Sequence, residues 1–205
     1  MTGSTTPLLA LLPLKPFTTA MGRLDAVLNR QQRADLSRAA ARRVAAVCTA
    51  AGAEVAVVAA AGGPAAAWAT SLDLEVIGEP ERGGLSGAAR AGAEAAAERG
   101  VPWCIVHSDL PLLTAGDVAA VRDLLGKGGA VLAPSRDGGT NLLAAREPIV
   151  FRYGPGSFAR HLAAVAHLQR RVIVTPGTAV ELDTPADLRA AAALPDGAWL
   201  RLYLS

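Results

Sequence analysis

The chain has 205 residues, enough for one domain with a substantial core. Half of them (51%) are apolar and 19% are charged, which excludes a disordered chain, while 4% aromatic residues are too few for a base-stacking platform. Twenty Lys and Arg against 18 Asp and Glu leave a formal charge of +2, too small a surplus to specify a nucleic acid as partner.

Met1–Thr6 carry no basic residue, and the apolar run Leu8–Leu12 stops at Pro13. That run is too short for a signal-peptide core or a membrane span of roughly 20 residues, so the expected location is the cytoplasm, with no membrane partner. It reads instead as a buried strand entering a Pro-Leu-Lys-Pro loop. From Gln31 to Ala50, Leu36, Ala40, Val44, Val47 and Cys48 fall at helical spacings, with Asn29 as cap and Gly52 as stop. Val55–Ala59 and Leu72–Ile77 are expected strands, and Ser86–Arg99 a helix capped by Ser86. Val101–His107 is the next strand. Thr114 then opens a helix with Asp117 as its capping partner. Gly128–Ala133 and Asn141–Ala145 are strands around a polar loop, Pro134–Gly139. Gly154–Ser157 leads into a helix through Leu168, Val172–Val174 is a strand, and Thr184-Pro185 starts the last long helix with Asp187 as partner. Ala198–Tyr203 is expected to be a final strand.

Strands and helices thus alternate from end to end, and the strands are apolar enough to need cover on both faces. The pattern predicts an α/β fold of three layers with a mainly parallel sheet, in a single domain spanning residues 1–205. Cys48 and Cys104 belong to no CxxC pair and read as two reduced, buried thiols; with the three histidines they form no familiar zinc spacing. Arg33, Arg38, Arg42 and Arg43 gather on one helix, but Asp35 interrupts them, as on a solvated surface. Nothing in the composition specifies an oligomeric state.

In open α/β sheets ligands bind beyond the carboxyl ends of the strands. No GxxxxGK[ST] loop, GxGxxG turn or GxSxG elbow occurs there. The strand Cys104–Val106 instead runs into His107-Ser108-Asp109-Leu110-Pro111, and Glu181-Leu182-Asp183-Thr184-Pro185 sets two acids before the last helix. If those ends are neighbours, Asp109 and Asp183 grip a hard cation, Mg2+ above all, which takes one or two carboxylates beside water and phosphate oxygens. The alternative is that Asp109 fixes its own turn and Asp183 merely precedes a helix; for Glu181 that bland reading is preferred. Two glycine-rich stretches, Asp137–Asn141 and Phe151–Phe158, offer backbone amides to an acidic, phosphorylated ligand, with Arg152 or Arg160 nearby.

Together these segments make the chain resemble the guanylyltransferases of coenzyme F420 biosynthesis, which join GTP to 2-phospholactate or phosphoenolpyruvate. The match is carried by Leu12–Pro16 with Arg23-Leu24, by His107–Leu113, by Gly139-Thr140-Asn141 with Phe151–Arg160, and by Leu182–Leu188. The resemblance implies a single Rossmann-like nucleotidyltransferase domain. It implies that Thr140, Gly154 and Ser157 hold the phosphorylated three-carbon acid, that Asp109 and Asp183 bind metal, and that Lys15 and Arg23 face the GTP phosphates. Gly84 then lies near the guanine, with Pro13, Ser86 and Ser108 also against the nucleotide. Met21 stands where the family usually has lysine, and Ser86 where it usually has asparagine. Alternative readings are transfer to another phosphorylated acceptor, or a diverged nucleotide-binding domain without turnover. An acceptor phosphate is already ionised near neutral pH, so His107, His161 and His167 are expected to be structural.

Overall fold

The computed structural model describes residues 7–126 and 128–204; Met1–Thr6, read above for a leader, lie outside the described residues. Within them seven strands build one sheet: β1 (Leu9–Pro13), β2 (Glu54–Ala59), β3 (Glu75–Gly78), β4 (Trp103–Val106), β5 (Ala130–Pro134), β6 (Thr140–Ala145) and β7 (Arg170–Val172). Their order is β3-β2-β1-β4-β6-β5-β7, and every pairing is parallel except those of β6 with β4 and β5. The helices are α1 (Arg30–Ala50), α2 (Pro64–Thr70), α3 (Gly84–Glu98), α4 (Ala115–Leu125), α5 (Ser157–Ala164), α6 (Pro176–Ala179) and α7 (Pro185–Ala192).

Alternation along β1 separates the layers. Ala10 and Leu12 pack with Ala41, Val44 and Cys48 of α1 and with Val118 and Val121 of α4, whereas Leu9 and Leu11 pack with Ala88, Ala89 and Ala93 of α3. Both faces are covered, which is why the strands are apolar throughout. On α3 the small residues allow close approach: a Cβ on Gly92 would lie 2.8 Å from Leu11 Cδ1. A third cluster, including Leu24, Leu28, Leu112, Leu182 and Leu200, ties the loop after β1, the loop after β4 and the approach to α7 together. Cys48 and Cys104 are buried free thiols, as expected.

The capping boxes expected from Thr114/Asp117 and Thr184/Asp187 are present, and Asn29 caps α1 with Gln32. Several expectations need correction. α3 starts at Gly84 with Gly83 in a left-handed conformation (φ 115), so Ser86 caps nothing; its Oγ accepts the Tyr153 N–H at 3.0 Å. Ala198–Tyr203 belongs to a 3-10 helix, Pro195–Tyr203, because Pro195 starts a turn that buries Leu200 and directs Trp199 Nε1 to the Pro111 carbonyl at 3.3 Å. The third strand begins at Glu75, since Asp73 turns through a left-handed conformation (φ 55). β7 ends at Val172 and α5 at Ala164, both short of their expected ends.

Candidate active site

Asp109 follows β4 and Asp183 precedes α7, and a backbone bond from Leu182 N to Asp109 O, 3.0 Å, fastens one segment to the other. The buried Leu110, Leu112 and Leu182 anchor these turns from beneath. Both acids thereby lie at the carboxyl rim of the sheet. Arg23, in the 3-10 turn Gly22–Leu24, reaches the same place: its Nη1 donates to Asp183 Oδ2 at 2.5 Å.

Beside this meeting point is a cavity of about 340 Å³, lined by Pro13, Lys15, Met21, Leu85, Ser108 and Asp109 among others. The predicted residues Pro13, Lys15, Ser108 and Asp109 therefore share one concavity. Gly84 and Ser86 flank Leu85 on the first turn of α3. Met21 contributes an apolar side chain to the wall and adopts a left-handed backbone (φ 54) that starts the turn carrying Arg23.

Thr140, at the start of β6, and Ser157, at the start of α5, form a second group. Their hydroxyls are 3.1 Å apart, and Thr140 Oγ1 is 2.9 Å from His161 Nδ1. Gly154 (φ 118) and Gly156 (φ 68) turn the chain into α5 through left-handed conformations that a side chain would strain. Arg160 is committed to this loop: Nη1 donates to Pro155 O at 2.6 Å, and Nε and Nη2 donate to Arg152 O. The antiparallel register of β6 sets this group beside β4, with His107 N donating to Asn141 O at 3.0 Å.

Burial pushes the Asp109 carboxyl above the usual carboxylate range; His107 and a backbone amide pull it down, and Asp183 pushes it up again. Burial also holds the His107 imidazole below its ordinary value. Glu181 is raised to about 7, by burial first and then by Asp109, Asp137, Asp183 and Asp187. A negative field thus fills the rim, and Glu181, read from sequence as a bystander, lies inside it.

A family model described as "Guanylyl transferase CofC like" matches residues 8–203. The chain belongs to this family. Among curated relatives it is 36% identical to a phosphoenolpyruvate guanylyltransferase of Rubrobacter xylanophilus, over 87% of this chain and 90% of the relative. It is 29% identical to a 2-phospho-L-lactate guanylyltransferase of Methanothermobacter thermautotrophicus, over 95% and 88%. A 3-phospho-D-glycerate guanylyltransferase of Phenylobacterium zucineum is 39% identical over 63% of this chain and 62% of its own. In fold the chain is similar to a nucleotide-diphospho-sugar transferase structure from Desulfovibrio desulfuricans G20, with a TM-score of 0.76, 16% identity and coverage of 95% and 94%.

For this CofC-like chain the donor set at the rim fits a magnesium ion. Asp109 Oδ1 is inaccessible and has no hydrogen-bond partner, and Asp183, close enough to raise that carboxyl, offers a second hard carboxylate. Among the described residues no group of three or more His, Cys, Asp or Glu side chains is placed to hold a metal ion. Sequence reasoning set His161 aside as structural and preferred a bystander's part for Glu181: the first is a histidine among helical residues, the second one acid before a stronger Asp-Thr-Pro signal.

Proposed function

We propose that this protein transfers the guanylyl group of GTP to phosphoenolpyruvate, releasing pyrophosphate, in coenzyme F420 biosynthesis. The observation that carries the reading is the convergence of Asp109, Asp183, Arg23 and Lys15 on one rim beside a nucleotide-sized cavity. The names of the relatives support the reaction type and an acid of this class.

In the reaction an ionised phosphate oxygen of the acid forms a bond to the α-phosphorus. The α–β anhydride bond breaks, and pyrophosphate leaves with its electron pair. The attacking oxygen needs no base, so the work of the chain is alignment and charge neutralisation. Lys15 and Arg23 face the phosphates, with Pro13, Ser108, Gly84 and Ser86 against the nucleotide. Thr140, Gly154 and Ser157 hold the acid. Asp109 and Asp183 would hold magnesium, which offsets phosphate charge. Among the described residues no helix is long and apolar enough to cross a membrane. Two buried free thiols fit the reducing cytoplasm, where we place the reaction.

The test is incubation with GTP, Mg2+ and each of phosphoenolpyruvate, 2-phospholactate and 3-phosphoglycerate, with the product read by mass. A guanylylated phosphoenolpyruvate formed fastest is expected; no guanylylated product from any of the acids refutes the reading.

A further inference from the structure

His161 has no exposed surface, and both its ring nitrogens are engaged. Nε2 faces the Arg152 backbone N–H at 3.0 Å, and Nδ1 faces Thr140 Oγ1 at 2.9 Å. A backbone amide can only donate, so Nε2 is the accepting nitrogen and carries no proton. Burial, then the charges of Arg160 and His107, hold the ring at a pKa of about 4, so it is neutral. Its single proton therefore sits on Nδ1 and is donated to Thr140.

The consequence falls on the Thr140–Ser157 pair. The two hydroxyls own two protons, and their mutual bond at 3.1 Å uses one. Because the imidazole gives a proton to Thr140 and takes none, the second hydroxyl proton stays unspent. With the opposite tautomer the ring would accept from Thr140, both protons would be consumed, and the pair would present only lone pairs. An anion needs the donor. Thr140 and Ser157 are also the buried ends of two glycine turns, with exposed Gly138 and exposed Gly156 close before them.

We propose that His161 is a positioning residue for the acceptor acid: by keeping its proton on Nδ1 it reserves one hydroxyl proton of the Thr140–Ser157 pair for an anionic oxygen of the substrate. This rests on the reading that the pair holds the phosphorylated acid. His161→Asn places an amide where Nδ1 stands and keeps a donor toward Thr140. His161→Asp places a carboxylate where Nδ1 stands, which only accepts and so takes the reserved hydroxyl proton. The Asp variant is expected to raise KM for the acid roughly tenfold, the effect of losing one hydrogen bond to a charged group, with KM for GTP unchanged. The Asn variant is expected to restore most of the wild-type KM. Equal acid KM values in the two variants overturn the inference. Long-range proton–nitrogen NMR of the wild-type protein decides it even if neither variant folds: a bare Nε2 supports it, and a protonated Nε2 overturns it. A wild-type enzyme inactive on every acid removes the functional reading itself, and this inference with it, whereas an active wild type with indistinguishable variants removes this inference alone.

Discussion

The Arg23 guanidinium is bound to the Asp183 carboxylate at 2.5 Å, joining the loop after the first strand to the approach of the last helix. Both groups meet water, with side-chain exposures of 71% and 39%, so screening limits the pair to roughly 0–1 kcal/mol of stability. A triphosphate with its cation can therefore separate the partners at small cost. Arg23→Ala is expected to change unfolding free energy by less than about 1 kcal/mol in urea. KM for GTP should rise roughly tenfold, as for loss of a charged hydrogen bond. An unchanged KM would show that Arg23 serves only Asp183.

Asp109 separates activity from stability. Its carboxyl is raised by burial, so folding disfavours the charge that the proposed chemistry requires. Asp109→Asn is expected to lower kcat about 100-fold or more, the scale of a positioned electrostatic group, while the melting temperature at neutral pH rises. A folded variant with near-normal pyrophosphate release would exclude Asp109 from the reaction.

His161 gives stability a pH dependence. An unfolded chain takes up the imidazole proton near pH 6.5, the native protein only near 4. Between those values the unfolded state binds more protons, so stability is lost as pH falls from about 6.5 toward 4. Asparagine has nothing to titrate. Melting curves of wild type and His161→Asn should accordingly shift in favour of the variant on acidification; a constant difference across this window contradicts the neutral, buried ring.

Gly92 sets the distance between α3 and the sheet. Gly92→Val brings a branched side chain against Leu11, whose Cδ1 already lies 2.8 Å from the position of a first carbon. The expected cost is about 1–3 kcal/mol of overpacking, read from urea unfolding. A neutral effect would mean that α3 moves away freely.

Thr184 has a local and a distant role. It closes the box with Asp187 at the start of α7 and immediately follows Asp183. Thr184→Ala is expected to cost about 1 kcal/mol and to lower kcat by releasing the neighbouring carboxylate. Retention of full kcat alongside the stability loss would show that Leu182 alone fixes this segment.

The parts of the site written in local grammar were legible. Asp109 ends an apolar strand, and Asp183 precedes a Thr-Pro-x-Asp helix start, so each could be placed before its partner was known. What stayed hidden depends on distant contacts. The tautomer of His161 follows from Arg152 and Thr140, which only the folded chain brings to its ring. The raised carboxyl of Glu181 comes from burial and four other acids, not from its neighbours in sequence alone. α2, Pro-Ala-Ala-Ala-Trp-Ala-Thr, lacks the contrast between large apolar and polar residues that marks a helix face. The tail Ala198–Tyr203 has a strand's composition, yet Pro195 and the burial of Leu200 commit it to a tight helix.

The reversed direction of β6 has an evolutionary reach. Because that strand runs against its neighbours, it is entered through a hairpin at the very edge where the other strands finish, and Ser135–Gly139 form its tip. Hairpin tips lengthen, shorten and change composition with little penalty to the sheet behind them. On the proposed reading, the portion that holds the small acid can thus be remodelled while the half that receives the nucleotide stays as it is.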